Sequence, residues 1–401
     1  MSGRAATPRA ELVPRLEDQG YSDVQIAERR AWIEAKTGAR LAGVGACTIP
    51  GEQMRGNIEN PIGSVQVPLG VAGPLRVEGE HARGTFYVPM ATTEGTLVRS
   101  YERGAVTVTR AGGAVTRLYA DENRVAPVFL FEDITEAYRF ARDLDSLLPA
   151  LREQAEATTR HGRLLRLEIH PVGRQVMVHF CFSTGDAHGM NMIVRATERA
   201  CEWLVAQGHA RRYYIFSGLD AEKHASASLL TGGKGKKVVA GARLPAPLVR
   251  AYLGSTPERL LDLWHCNVLG QLHSGSTGCN AHYANGLAAL FIACGQDVAN
   301  LVNSAAGLTH FEVTPEGDLH LSVTLTSLTL ATVGGGTALG TAPECLEMLG
   351  CLGTGKAVKL AEIAAAFLLA GELSFCAAIA SGEFVASHET YGRNRPVEVK
   401  A

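Results

Sequence analysis

The sequence predicts an α+β fold: a large mixed helical and strand domain into which a small split-βαβ, ferredoxin-like domain is inserted. Three observations predict it. Between Val128 and Phe216, apolar runs and amphipathic stretches alternate in the order strand, helix, strand, strand, helix, strand. On either side, short β-branched runs alternate with glycine turns and helical stretches. A chain of 401 residues with 46% hydrophobic content can also bury more than one core.

From the N-terminus, residues Arg9 to Thr37 carry charge at helical spacing, clearest in DVQIAERRAWIEAKTG, and residues 1–58 read as an N-terminal helical region. Strands such as SVQVPLGVAGPLRV follow, then VRSYERGAVTVTRAGGAV, a helix ending in glycines. The insert, residues 127–215, reads APVFLF, TEAYRFARDLDSLLPALREQAEATT, RLLRLEIHPV, RQVMVHFCF, MNMIVRATERACEWLVAQ and RRYYIF. Residues 1–126 and 216–401 form the large domain, which includes the alternating strand DLHLSVTLTSLTLATV. Ile363–Ala380, interrupted by Gly371, Glu372 and Ser374, reads as a buried alanine-rich helix, and residues 380–401 as a mobile C-terminal segment.

Charge is nearly balanced, 38 basic against 40 acidic side chains without a long run of one sign, which argues against nucleic acid or an anionic membrane surface as partner. Nine cysteines between Cys47 and Cys376 contain no CxxC pair, so they read as buried thiols of a reducing compartment, and no metal is expected. The N-terminus is charged and lacks an apolar signal segment, so a soluble cytoplasmic protein is expected.

Several groups can carry chemistry. VPMATTEG, Val88 to Gly95, leads an apolar run into one carboxylate, Glu94. Desolvation there raises a glutamate pKa toward neutrality and makes it a proton donor; a glutamate at a helix N-terminus is the plainer reading. TGDAHGMNMI joins a strand to a helix and places Asp186 and backbone N–H groups where a phosphate or ribose can dock, although it is not GxGxxG. TVGGGT permits close backbone approach or is a flexible turn, and GGKGKK, Gly232 to Lys237, reads as an exposed hairpin turn. Lys223 can stabilise an oxyanion or is simply exposed, Asp297 is otherwise an N-cap before Val298, and His388 can protonate a leaving thiolate or is a surface residue.

Together PMATTEG, TGDAHGMNM, ACGQD, TVGGGT and a Ser-His pair near the C-terminus, with ENPIGSVQVPLGVAGPL at residues 59–75, resemble in order the motifs of class I 3-hydroxy-3-methylglutaryl-CoA reductases. The resemblance implies reduction of an acyl thioester to an alcohol by two hydrides from NADPH, by default 3-hydroxy-3-methylglutaryl-CoA to mevalonate. It implies a homodimer or tetramer with active sites between subunits, a large substrate-binding domain and a small NADPH-binding one. Glu94 would supply a proton, Lys223 would sit on the oxyanion, held by Asp297 and helped by Asn285, and His388 would protonate the expelled thiolate. NADPH would lie on Asp186, Gly189, Met190 and Asn191, with Arg160 and with Gly334, Gly335 and Gly336.

The substrate positions implied by the resemblance, Arg103, Arg124, Ser217, His224 and Cys266, depart from the family pattern. Glu222 and His224 flank Lys223 where an aspartate and a second lysine are usual, and the loop from Ser217 is one residue shorter. In DENRVAP, Arg124 is displaced by one position, and Cys266 stands in place of a lysine. Arg103 is kept, but Val106 and Gly254 replace cations near the CoA phosphates. These departures predict weakened binding of the family substrate. The alternative is an acyl thioester without the terminal carboxylate, on CoA or an acyl-carrier protein; a non-catalytic sensor is a third reading.

Overall fold

The computed structural model describes residues 12–391. Its first long helix, Asp23–Thr37, begins where Ser22 and Gln25 form a reciprocal capping box, which satisfies two of the orphan N–H groups of the first turn. Ten strands follow: β1 Leu69–Glu78, β2 Arg83–Ala91, β3 Ala114–Val125, β4 Val128–Leu130, β5 Arg163–Val172, β6 Gln175–Ser183, β7 Arg212–Tyr214, β8 Gly235–Leu244, β9 Gly307–Val313 and β10 Leu319–Leu328.

β3 joins two sheet regions. Along most of its length it pairs antiparallel with β8, and its start meets β1 in parallel; only Asn123, Arg124 and Val125 pair with β6. β8 continues antiparallel to β10 and then to β9. On the other side the order is β7-β4-β6-β5, with every neighbour antiparallel. With helices Ile134–Asp143, Leu148–Glu156 and Met190–Ala206 between the strands, this is the split-βαβ arrangement expected from the sequence. The single helix expected after β4 is interrupted at Leu144–Leu147 and restarts with Pro149 in its first turn, where a missing N–H costs no helical bond.

One hydrophobic cluster draws all its buried members from the stretch between Val125 and Ala210, including Phe129, Phe180 and Phe182. The larger cluster surrounds the helix Ala357–Ser381. That helix is long and apolar enough to cross a membrane by length and composition, yet 78% of its apolar window is buried inside the protein, as a core helix requires. The helix Leu97–Arg110 lies directly against it: a Cβ on Gly104 would stand 1.9 Å from the Ala370 carbonyl, so only glycine permits this approach.

Two carboxylates are buried in this core helix, and both hold backbone. Glu362 accepts from the N–H groups of Glu80, His81 and Ala82. Glu372 accepts from those of Ala281 and His282 and from the Thr309 hydroxyl, and so fixes the segment that starts the helix Tyr283–Ala293. The expected C-terminal segment begins as a helix, Phe384–Tyr391. His388 is in its backbone, but its side chain lies outside the described residues, as do residues 392–401.

Candidate active site

Glu94 lies just beyond β2, in the turn that enters the helix Leu97–Arg110, and its Oε2 accepts from Asn285 Nδ2 at 2.7 Å. The expected desolvation is not found in the single chain: Glu94 is exposed, because β2 ends at Ala91 and the next three residues turn outward. The pair opens onto a cavity of about 630 Å³, lined among others by Arg103, Val106, Tyr252 and His282. Arg103 is held there by Ser374 and by Glu383 at 3.2 Å. Burial pushes the His282 pKa down to about 4, so its ring is neutral near pH 7, stacked between Tyr101 and Phe375.

Lys223 sits on a separate loop. Its backbone is left-handed, φ 57°, and its N–H donates to Asn303 Oδ1 at 3.0 Å. Its ammonium is 2.6 Å from Asp297 Oδ2. Burial by itself would raise the Asp297 pKa, but the Lys223 ammonium and the Ala299 N–H outweigh it, and the pKa is lowered. Asp297 also accepts from Ala299 N–H at 3.1 Å, so it is an N-cap as well as the lysine's partner.

Behind this pair lies a buried cluster that sequence reasoning missed. Lys234 Nζ is 2.6 Å from Glu222 Oε2 and donates to the Arg124 carbonyl at 3.1 Å; His188 Nε2 is 3.6 Å from Glu222 Oε1. Burial lowers the pKa of both Lys234 and His188. GGKGKK is therefore not an exposed turn. Lys234 is fully buried, and Lys236, on β8, is buried against Asp121 at 2.8 Å, because pairing with β3 and β10 draws this segment inside. The available signal was the spacing: Lys234 and Lys236 share one side of a segment that runs into the apolar VVA of β8.

The other substrate positions divide. Arg124 is buried, with its Nε and Nη2 lacking a hydrogen-bond partner among the described residues. Ser217 donates its hydroxyl to the Ala126 carbonyl at 2.7 Å, and His224 is exposed with Nδ1 against the Glu222 carbonyl. Cys266 is exposed, which corrects the expectation that all the thiols are buried; all nine cysteines are free.

The nucleotide positions converge on one region. Gly189 has φ 74° and opens the helix Met190–Ala206; a Cβ there would lie 2.7 Å from Thr184. Asp186 accepts through its carbonyl from Thr332 N–H at 2.9 Å, which brings the DAHGMN turn against TVGGGT. The Asp186 carboxylate is not directed to open space as expected. It accepts from the N–H groups of Gly355, Lys356 and Ala357 at the start of the core helix; these outweigh burial and lower its pKa. Nothing lies within 4 Å of a Cβ built on Gly334 or Gly335, whereas Gly336 abuts the Gly295 carbonyl. Arg160 is exposed on the turn before Gly162, which packs beside Met192.

A family model described as hydroxymethylglutaryl-coenzyme A reductase matches residues 25–393. The chain belongs to that family. It is 44% identical over 374 residues to the 3-hydroxy-3-methylglutaryl-coenzyme A reductase of Methanothermobacter thermautotrophicus, covering 92% of this chain and 94% of the relative. It is 42% identical over 394 residues to that of Methanocaldococcus jannaschii, covering 96% of each. The class II 3-hydroxy-3-methylglutaryl-CoA reductase from Streptococcus pneumoniae, solved bound to NADPH, has a TM-score of 0.68 at 18% identity, over 88% of this chain and 96% of that one, and so shares the reductase fold.

Proposed function

We propose that this family member is an NADPH-dependent oxidoreductase that reduces 3-hydroxy-3-methylglutaryl-CoA to mevalonate by two hydride transfers, as its archaeal relatives are named to do. The observation that carries the chemistry is the Lys223–Asp297 ion pair at 2.6 Å on a partly exposed loop. Hydride addition puts negative charge on the thioester oxygen, and an ammonium fixed by a carboxylate is placed to stabilise it. Glu94, oriented by Asn285, delivers the proton that completes the alcohol, and His388 protonates the departing thiolate.

The nucleotide region fits NADPH. The N-terminus of the helix Met190–Ala206, which opens at Gly189, suits an anionic group, and Gly334 and Gly335 leave space for close backbone approach. NADPH bound there supplies both hydrides, and exposed Arg160, on the turn before Gly162, is the cation assigned to its anionic end in this reading. Residues 127–215 form the nucleotide-binding domain in this reading, and residues 1–126 with 216–401 the substrate-binding one.

Active sites between subunits of a homodimer or tetramer are favoured by geometry. Asn285 lies in the first turn of the helix Tyr283–Ala293 and Asp297 beyond its last, so they are separated by roughly 12 Å or more along its axis. Glu94 and Lys223 are therefore best united by two chains. Nine free cysteines suit a reducing compartment, the cytoplasm in our reading.

The motifs support the class I type, with a carboxylate pocket rebuilt around Arg124. A buried guanidinium with unsatisfied donors suits a carboxylate ligand. Exposed Cys266 and the His224 contact to its own loop favour the second reading, an acyl thioester lacking the terminal carboxylate. NADPH oxidation measured with 3-hydroxy-3-methylglutaryl-CoA against a panel of uncharged acyl thioesters decides. Turnover of uncharged thioesters alone would overturn the first reading.

A further inference from the structure

β5 and β6 place three side chains on the face of their hairpin opposite its buried core residues. Glu168 and His170 alternate along β5, and His179 lies directly across from Glu168 on β6. Val178 and Phe180, which alternate with His179 on β6, are in the core, as the two-residue period of a strand demands. His179 is buried, while Glu168 and His170 are partly exposed.

Their donor atoms converge. His179 Nδ1 is 3.0 Å from Glu168 Oε2 and 3.2 Å from His170 Nε2, and all three atoms lie within 4.8 Å of one another. The other ring nitrogen of His179, Nε2, is 3.1 Å from the Leu219 carbonyl. A carbonyl only accepts, so Nε2 carries the ring proton and Nδ1 of the neutral ring presents a lone pair. In the neutral ring that lone pair faces a carboxylate oxygen with no proton between them, whereas the imidazolium would make an ordinary ion pair with Glu168. A proton on His170 Nε2 can serve the His–His contact but not the His179–Glu168 contact. A cation satisfies all three atoms together.

We propose that Glu168, His170 and His179 form a site for a divalent transition metal ion of the zinc type, with a fourth position open to water. Two imidazoles and a carboxylate suit zinc, cobalt or nickel better than magnesium or calcium. Ligands in tetrahedral array at zinc bond lengths stand about 3.3 Å apart, close to the two short separations here. The surroundings follow the usual pattern of an outer hydrogen bond orienting a ligating histidine, here donated by His179 Nε2 to the Leu219 carbonyl. Arg166 and Arg124 both oppose a cation: Arg166 is paired with both Glu122 and Glu168, and the buried Arg124 guanidinium acts on His179.

Leu219 belongs to the loop that begins at Ser217 and carries Lys223, so an occupied site fixes one anchor of that loop. The cysteine pattern gave no sign of this site, because its ligands are spaced by strand alternation and hairpin register.

The test uses the whole chain, freed of metal with a chelator and titrated with Co(II). We expect one ion per chain, visible absorption of tetrahedral cobalt without a thiolate charge-transfer band, and a raised Tm on adding Zn(II). His170→Ala and Glu168→Gln, at partly exposed positions, should each weaken binding at least tenfold while keeping the wild-type circular dichroism. No stoichiometric binding, equal binding by both variants, or a thiolate band that places the ion on cysteine would each overturn the proposal. None of these readouts depends on the reductase reaction.

Discussion

Asn285 and Asp297 stand at opposite ends of one helix, Tyr283–Ala293, and each holds a different proposed catalytic side chain: Asn285 holds Glu94, and Asp297 holds Lys223. The helix is rigid and buried along most of its length, so a single chain keeps the two pairs apart. Its start is fixed by Glu372, and the Cys294 N–H closes its last turn on the Leu290 carbonyl. One chain thus presents the proposed proton donor in one place and the proposed oxyanion site in another, and a symmetric partner can bring one of each together.

Subunit complementation is the first expected consequence. Glu94→Gln and Asp297→Ala chains, each inactive alone, should regain roughly a quarter of wild-type activity when unfolded together and reassembled as random dimers, since half are mixed and each mixed dimer has one intact site. Activity that stays at the level of the separate variants would place all these groups in one chain's site.

Lys223→Ala should lower kcat by roughly 10²- to 10³-fold, the usual loss for one preorganised oxyanion donor. NADPH affinity should stay unchanged, because the ammonium contacts Asp297 and lies on a different loop from the nucleotide turn. Stopped-flow hydride transfer with a parallel NADPH titration separates these effects. Wild-type turnover would remove the lysine from the mechanism.

Lys234→Met should destabilise the protein by about 3 to 5 kcal/mol, since it leaves the Glu222 carboxylate buried without its cation. The double variant Lys234→Met/Glu222→Gln should recover much of the loss. Urea midpoints of the three proteins measure this, and equal midpoints for Lys234→Met and wild type would show that the pair adds nothing.

The Glu372 carboxyl provides a pH signature. Burial pushes its pKa up to about 7, against the opposing pull of the Ala281 N–H, the Thr309 hydroxyl and the His282 N–H. Above the ordinary glutamate pKa, the folded chain keeps a proton that the unfolded chain releases. Its contribution is therefore full below that ordinary value and is lost as pH rises through about 7. The total is on the order of 3 kcal/mol. Glu372→Gln removes the titration, so unfolding free energies from about pH 5 to pH 8 should fall more steeply for wild type than for the variant. Parallel slopes would exclude Glu372 as the titrating group.

Much of the fold was legible because periodicity and burial coincide in it: β5, β6 and the helix Met190–Ala206 fall where alternation and helical spacing put them. The ion pair between Lys223 and Asp297 was legible only through the resemblance, since strand β8 and the helices Ala246–Leu253, Pro257–Ser274 and Tyr283–Ala293 lie between them in the chain. Lys234 was misread because a lysine among glycines has the local chemistry of a turn, and only its cross-strand neighbours and Glu222 make it a buried cation. The apolar run before Glu94 suggests desolvation, but strand β2 ends three residues earlier and leaves the carboxylate exposed at the cavity mouth, in the turn that enters a helix, as the plainer reading has it.

The acyl carboxylate should be recognised by Arg124. This side chain is buried, its Nε and Nη2 have no hydrogen-bond partner among the described residues, and a Cβ at Gly233 would stand 2.7 Å from its Nη1, so glycine keeps the space beside it clear. An unpaired guanidinium in such a place costs stability until an anion meets it. His224 and Cys266 are both exposed, so in the proposed pocket Arg124 is the charge-assisted contact to the carboxylate. Such a contact contributes about 1.5 to 3 kcal/mol, so Arg124→Met should raise KM for 3-hydroxy-3-methylglutaryl-CoA by roughly 10- to 150-fold. For a thioester whose terminal carboxylate is replaced by an amide, KM should barely move. Arg124→Lys keeps the charge but loses the planar fork, and should recover the fold and only part of the affinity. Steady-state kinetics of the three proteins with both thioesters test this, and an equal rise in KM for the charged and amide substrates would mean that Arg124 shapes the pocket without binding the carboxylate.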